Sequence, residues 1–290
     1  MDPLPLALTL ASAATHSLWN YLAKESGDKE AYMLLLNAGG IALTLPLYAA
    51  LLTTLKPPWS ALPNLAISAA AEVLYFHFLG KAYEEGDLSL VYPVARSSPL
   101  LVALASYLFL GEKPSAQGVT GILLVTAGVY LLHAKSLTPR GITDTLHQLG
   151  TKATQYAVLA ALGTTIYSLS DNAGVAKTDP LLYSLWLGIA VTSAVTLKTL
   201  CSGGLSKLRW ELGKKPARPL AAGLLMHGGY IMVLLAMSMS NVGYILAVRQ
   251  VSVVLGALLG VLGRGEQYGG PRLLGSAIIF AGVYIIAQAP

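Results

Sequence analysis

The charges of this 290-residue chain leave long stretches untouched: no Asp, Glu, Lys or Arg falls within 3–23, 31–55, 114–134, 153–170, 180–197, 219–248 or 273–290. A helix rises about 1.5 Å per residue, so roughly 17–25 such residues cross a hydrocarbon core about 30 Å thick. Only 11% of the residues are charged and 54% are hydrophobic, against roughly a quarter charged in an ordinary globular domain. Too little charge is left to coat a water-soluble body. A soluble enzyme and a disordered chain are excluded on these grounds. Cys201 is the one cysteine, which excludes a disulfide-stapled module. The chain reads as an all-α integral membrane protein.

Pro, Gly and charge breaks divide the runs into ten transmembrane helices, at about 4–23, 31–54, 61–83, 88–110, 115–133, 155–175, 181–200, 219–238, 242–263 and 271–288. The run 219–248 is too long for one span, and Asn241 and Gly243 mark its turn. Met1-Asp2-Pro3-Leu4 carries no basic segment, so the first helix is read as retained rather than as a cleaved signal. In the ten-span reading one set of loops holds fourteen Lys and Arg residues. The other holds only Lys56, Lys113 and Lys177. Basic residues accumulate on the cytoplasmic side, so both termini are expected outside the cytoplasm, with the protein in the cytoplasmic membrane. The net charge of +5 is then an orientation signal, and no nucleic-acid partner is implied.

Residues 72–133 align without a gap to 226–287 and share 14 identities in 62, clustered at Gly111-Glu112 with Gly265-Glu266 and at Ala127-Gly128-Val129-Tyr130 with Ala281-Gly282-Val283-Tyr284. Two units follow, 1–140 and 150–290. Five helices each is an odd number, so the second copy enters from the opposite side. Two five-helix inverted repeats are the architecture of transporters with a midplane site between the copies.

The motifs Trp19 to Lys24, Gly86-Asp87-Leu88-Ser89-Leu90-Val91-Tyr92-Pro93-Val94-Ala95-Arg96 and Leu110-Gly111-Glu112-Lys113, echoed by Ala247-Val248-Arg249-Gln250 and Gly265-Glu266, resemble the drug/metabolite transporter superfamily in its ten-helix EamA-type branch. The resemblance implies a central cavity lined mainly by helices 1, 3, 4, 6, 8 and 9 and movement of small metabolites by alternating access. It names no substrate. Its better-known members keep their termini in the cytoplasm, which the charge count here opposes.

An ionisable side chain within a span is costly and is a functional candidate by default. Arg96 lies about 8 residues into helix 4 and Arg249 about 7 into helix 9, flanking the midplane from opposite sides. Each guanidinium can give a carboxylate or phosphate two parallel hydrogen bonds. The alternative is that each neutralises a buried acid or holds carbonyls freed by a broken helix. The ungapped alignment sets Arg249 against Ala95 and Arg96 against Gln250, one residue out of register. Pro93 and Pro99 bracket Arg96 and predict a kink that serves as the moving part. Glu72, with Tyr75, Phe76 and Leu79 on its face, is a proton-coupling carboxylate, an amine ligand or a counter-ion. Asp171, near Ser168 and Asn172, reads as hydrated at a cavity mouth.

Tyr92 and Tyr230 are the preferred stacking aromatics among Trp19, Tyr75, Tyr167, Trp186 and Tyr244, while Asn20, Gln250 and His227 could orient a substrate. His16, His77 and His227 stand one per helix, which is no metal-ligand pattern, and His16 reads as a packing residue. Gly121 and Gly128, mirrored by Gly275 and Gly282, suit close internal helix packing or a homodimer. Glu112 and Glu266 read as acids at the starts of helices 5 and 10. No phosphate-binding loop, metal motif or nucleotide-binding domain occurs, so no enzyme, metal or cofactor is expected.

The leading expectation is a secondary transporter of a small anionic or zwitterionic metabolite (organic acid, amino acid or phosphorylated compound), drawing on a coupling proton or a counter-substrate. A proton-coupled exporter of organic cations working through Glu72 is the alternative. A non-transporting membrane scaffold is the third reading.

Overall fold

The computed structural model describes residues 1–23, 26–52, 58–86, 88–134, 150–201, 205–214, 216–264 and 269–290. Within them the regular structure is helical. In chain order the helices are α1 (Pro3–Ala23), α2 (Lys29–Leu52), α3 (Leu62–Glu85), α4 (Leu88–Ala95), α5 (Ser98–Ala105), α6 (Ala116–His133), α7 (Lys152–Val175), α8 (Pro180–Cys201), α9 (Leu205–Lys214), α10 (Ala217–Met237), α11 (Val242–Val248), α12 (Val251–Arg264) and α13 (Gly270–Ala287). A short 3₁₀ turn, Trp59–Ala61, leads into α3, and a π turn, Ser106–Leu110, ends α5.

Among the described residues eight helical segments are long and apolar enough to cross a membrane: Ala31–Ala50, Trp59–Glu85, Val91–Leu110, Ala116–His133, Pro180–Thr199, Ala217–Met237, Val242–Leu262 and Gly270–Ala287. Helices α1 and α7, of 21 and 24 residues, match them in length. They are more polar, with Thr9, Ser12, His16 and Asn20 in α1 and Thr164, Thr165, Ser168 and Asp171 in α7. Sequence alone places a loop between α8 and α10, and there the structure adds α9. Its Trp210 and Leu212 are exposed, while Glu211 is buried and accepts the backbone N–H groups of Gly27 and Asp28 at 3.3 and 3.2 Å.

The principal packing pairs are α3 with α7, α6 with α13, and α1 with α10, followed by α2 with α10 and α1 with α12. Helices α6 and α13 lie glycine to glycine: a Cβ on Gly121 would stand 2.8 Å from the Gly282 carbonyl oxygen, and one on Gly128 2.8 Å from that of Gly275. Backbones approach this closely only where side chains are missing. The glycine faces therefore meet inside the chain. Ile122, Val125, Val129, Ile279 and Ile286 fill the core beside them.

Glu112 departs from the expected role. Ser115 caps α6, accepting the Gly118 N–H at 3.1 Å. Gly111, at φ 71°, turns the chain so that Glu112 instead accepts the N–H of Val242, the first residue of α11, at 3.3 Å, and the Asn172 side chain at 3.4 Å. Nearby, Tyr244 accepts the Ser115 N–H at 2.8 Å. Glu266 lies outside the described residues.

Candidate functional site

Two helices break, and an arginine opens each break. α4 ends at Ala95, Arg96 and Ser97 form a turn, and α5 begins at Ser98. This is the kink expected between Pro93 and Pro99, where missing N–H donors and ring clashes interrupt the ladder. α11 ends at Val248, Arg249 and Gln250 form a turn, and α12 begins at Val251. No proline marks that second break. α11 has seven residues where α4 has eight, so Arg249 and Arg96 are each the first residue past their helix. The single-residue mismatch in the alignment is thus taken up in the length of the preceding helix.

The two guanidinium groups meet at one imidazole ring. Arg96 Nη2 stands 3.1 Å from His16 Nε2, and Arg249 Nη2 stands 3.4 Å from His16 Nδ1. Trp19 packs edge-on against the same ring, with centroids 5.1 Å apart. Arg96 also lies over Tyr92, 5.1 Å from its ring centre, and Arg249 lies 6.0 Å from that of Tyr230. A cation over an aromatic face within about 6 Å is attracted by the ring quadrupole. Among the described residues no carboxylate comes within 4 Å of either arginine, and the Arg249 Nε–H is buried without a partner.

The acids are arranged behind this pair. Asp171 is fully buried rather than hydrated at a mouth: Tyr183 donates to its Oδ1 at 2.9 Å, and Tyr230 donates to its Oδ2. Tyr230 therefore connects Arg249, through its ring face, to Asp171, through its hydroxyl. Glu72 is half-buried on α3 and interacts electrostatically with Asp171 and Arg249. Tyr75, one turn further on, lies within electrostatic reach of Arg96, Arg249 and Glu72, and its ring meets that of Tyr167 edge-on at 6.0 Å.

The structure thus brings together Arg96, Arg249, Glu72, Tyr92 and Tyr230 from the sequence candidates. Gln250 is buried beside Arg249 with its side-chain oxygen unpartnered. Asn20 is exposed and donates to the His16 carbonyl oxygen of its own helix at 2.7 Å. His227 is placed apart, bonded at 2.7 Å to Tyr48, which also meets Ser184 at 2.7 Å, where α2, α8 and α10 join. Tyr244 serves the link to Ser115.

Sequence reasoning missed the central place of His16. A signal was present in the polar stripe Thr9, Ser12, His16 and Asn20, whose three- and four-residue steps draw one face of an otherwise apolar helix.

Residues 4–134, which hold α1 through α6 and so His16, Glu72, Tyr92 and Arg96, match the EamA-like transporter family. EamA-like proteins are membrane transporters and not enzymes. Twenty-nine solved chains also match. One of them, described as a crystal structure of a protein, is 19% identical with a TM-score of 0.69 over 97% of this chain and 98% of its own. At that identity the likeness shows the fold alone, and it extends through both halves. No curated protein matches the chain in sequence.

Proposed function

We propose that this EamA-like protein is a secondary transporter with ten spans in two inverted five-helix repeats, moving a small anionic or zwitterionic metabolite held between Arg96 and Arg249. The observation that carries the substrate class is the pair of guanidinium groups set at two helix breaks, one imidazole apart, with no carboxylate within 4 Å among the described residues. Two half-buried cations with no carboxylate beside them among the described residues are costly inside a membrane, and an oxyanion between them would supply the missing acceptors.

The repeat is supported by the packing pairs. Exchanging the halves turns α1 with α10 into α7 with α3, and both are principal contacts, while α6 with α13 maps onto itself. The Met1 amino group bonds to the Ala287 carbonyl oxygen at 3.3 Å, so the chain ends share one face, as an even number of spans requires. Substrate or ion gradients drive the cycle, and rocking at the breaks α4/α5 and α11/α12 exposes the site to each side in turn.

A thermal-shift series on the purified chain tests this, because a ligand bound to the folded state raises its melting temperature. Carboxylates or phosphates should stabilise the protein, and Arg96→Gln and Arg249→Gln should abolish the effect. Stabilisation by amines alone, lost in Glu72→Gln, would replace this reading with a cation exporter working through the Glu72 and Asp171 side of the site.

A further inference from the structure

His16 has an acceptor problem that no proton placement solves. A guanidinium only donates hydrogen bonds. A neutral imidazole has one acceptor nitrogen and one N–H, and a protonated one has no acceptor at all. With Arg96 Nη2 on Nε2 and Arg249 Nη2 on Nδ1, either neutral tautomer satisfies one arginine and turns an N–H toward the other. A protonated ring would add a third cation. Trp19, packed edge-on, orients the ring from its own helix.

We propose that His16 is the placeholder of the anion site, holding the two guanidinium groups one ring apart until a ligand oxyanion with two acceptor oxygens on one centre, a carboxylate or a phosphate, takes both from it. This rests on the anion reading above. The oxyanion bridges Arg96 and Arg249, because it accepts from both where the imidazole accepts from one.

The consequence is opposite to that of an ordinary binding residue. Removing His16 takes away the one ring acceptor the two arginines share at the breaks, which penalises the ligand-free protein more than the complex. His16→Ala should melt lower than the parent without ligand yet bind inorganic phosphate and acetate roughly tenfold tighter, the worth of one hydrogen bond to a charged group. His16→Gln, whose amide also offers one acceptor and a donor, should keep the parent affinity.

The experiment titrates melting temperature with inorganic phosphate, acetate and chloride at constant ionic strength, using the full chain in detergent. Unchanged or weaker phosphate and acetate binding in His16→Ala, with binding still lost in Arg96→Gln, overturns the placeholder and leaves the anion site standing. A parent protein no more stabilised by phosphate or acetate than by chloride overturns the anion site itself. Should His16→Ala fail to fold, nitrogen-15 spectra of histidine-labelled parent protein decide: both ring nitrogens of His16 should shift on adding phosphate, and an unmoved signal overturns the proposal.

Discussion

A guanidinium cannot be exchanged for an ammonium at either break, because one planar group reaches His16 through Nη2 while its Cζ lies over a tyrosine ring. Lysine keeps the charge and loses both the fork and the stacking. Arg96→Lys should therefore bind phosphate or acetate at least tenfold more weakly than the parent, measured by melting-temperature titration. Asp171→Ala should cost about 1–3 kcal/mol for each tyrosine hydroxyl left without its acceptor, read as a fall in melting temperature without ligand. Glu112 responds to pH. Burial raises its carboxyl above the usual 4.5, and the bonds from Val242, Ser106 and Asn172 only partly offset this. The folded state thus favours the proton more than the unfolded chain does. Its contribution to stability is complete below 4.5 and is lost as pH rises through the higher folded value. Glu112→Gln should flatten that part of the melting-temperature profile. The charged members of the site were visible in the sequence because an ion in an apolar run stands out. His16 and the burial of Asp171 were not, since a neutral imidazole and a carboxylate near a helix end take their meaning from partners on other helices.

Helix breaks and helix contacts follow different rules of legibility. Pro93 and Pro99 announce the α4/α5 break chemically, while the α11/α12 break occurs in Leu-Ala-Val-Arg-Gln-Val, where only its correspondence to the first half hints at it. Helix α9 escaped because its charges and short length read as a connecting loop, whereas Glu211 folds inward onto the α1–α2 turn. The glycines of α6 and α13 were legible as a close-packing face, and the structure supplies the partner of each. Gly128→Ala would drive a methyl to within 2.8 Å of a carbonyl oxygen and should destabilise by about 1–3 kcal/mol. Gly256→Ala, with nothing within 4 Å of the added carbon, should be neutral or gain up to about 1 kcal/mol from helix propensity. Parallel melting curves of the two variants check both.

For the whole molecule, the proposed ten-span arrangement would set the Glu211 link to Gly27 and Asp28 at the face rich in basic residues and the Glu112 link to Val242 at the opposite one. Each ties one half of the chain to the other. If the basic face is cytoplasmic, exposed Cys201 at the end of α8 should react with an impermeant maleimide only after membranes are opened. Lys177→Cys in a Cys201→Ser background should react in intact cells, and the reverse pattern would invert the orientation. Both links join a carboxylate to peptide N–H groups, which makes their genetics one-sided. Replacing the acid by a side chain without an acceptor deletes the link, but exchanging the side chain at Gly27, Asp28 or Val242 leaves the donor in place. Proline is the exception, and Val242, first in its helix after Asn241 at φ −55° and ψ 126°, is a position where proline fits. A saturation scan would then show Glu112 intolerant of side chains without an acceptor, Val242 permissive to residues of its size, and proline alone among those reproducing the loss at Glu112.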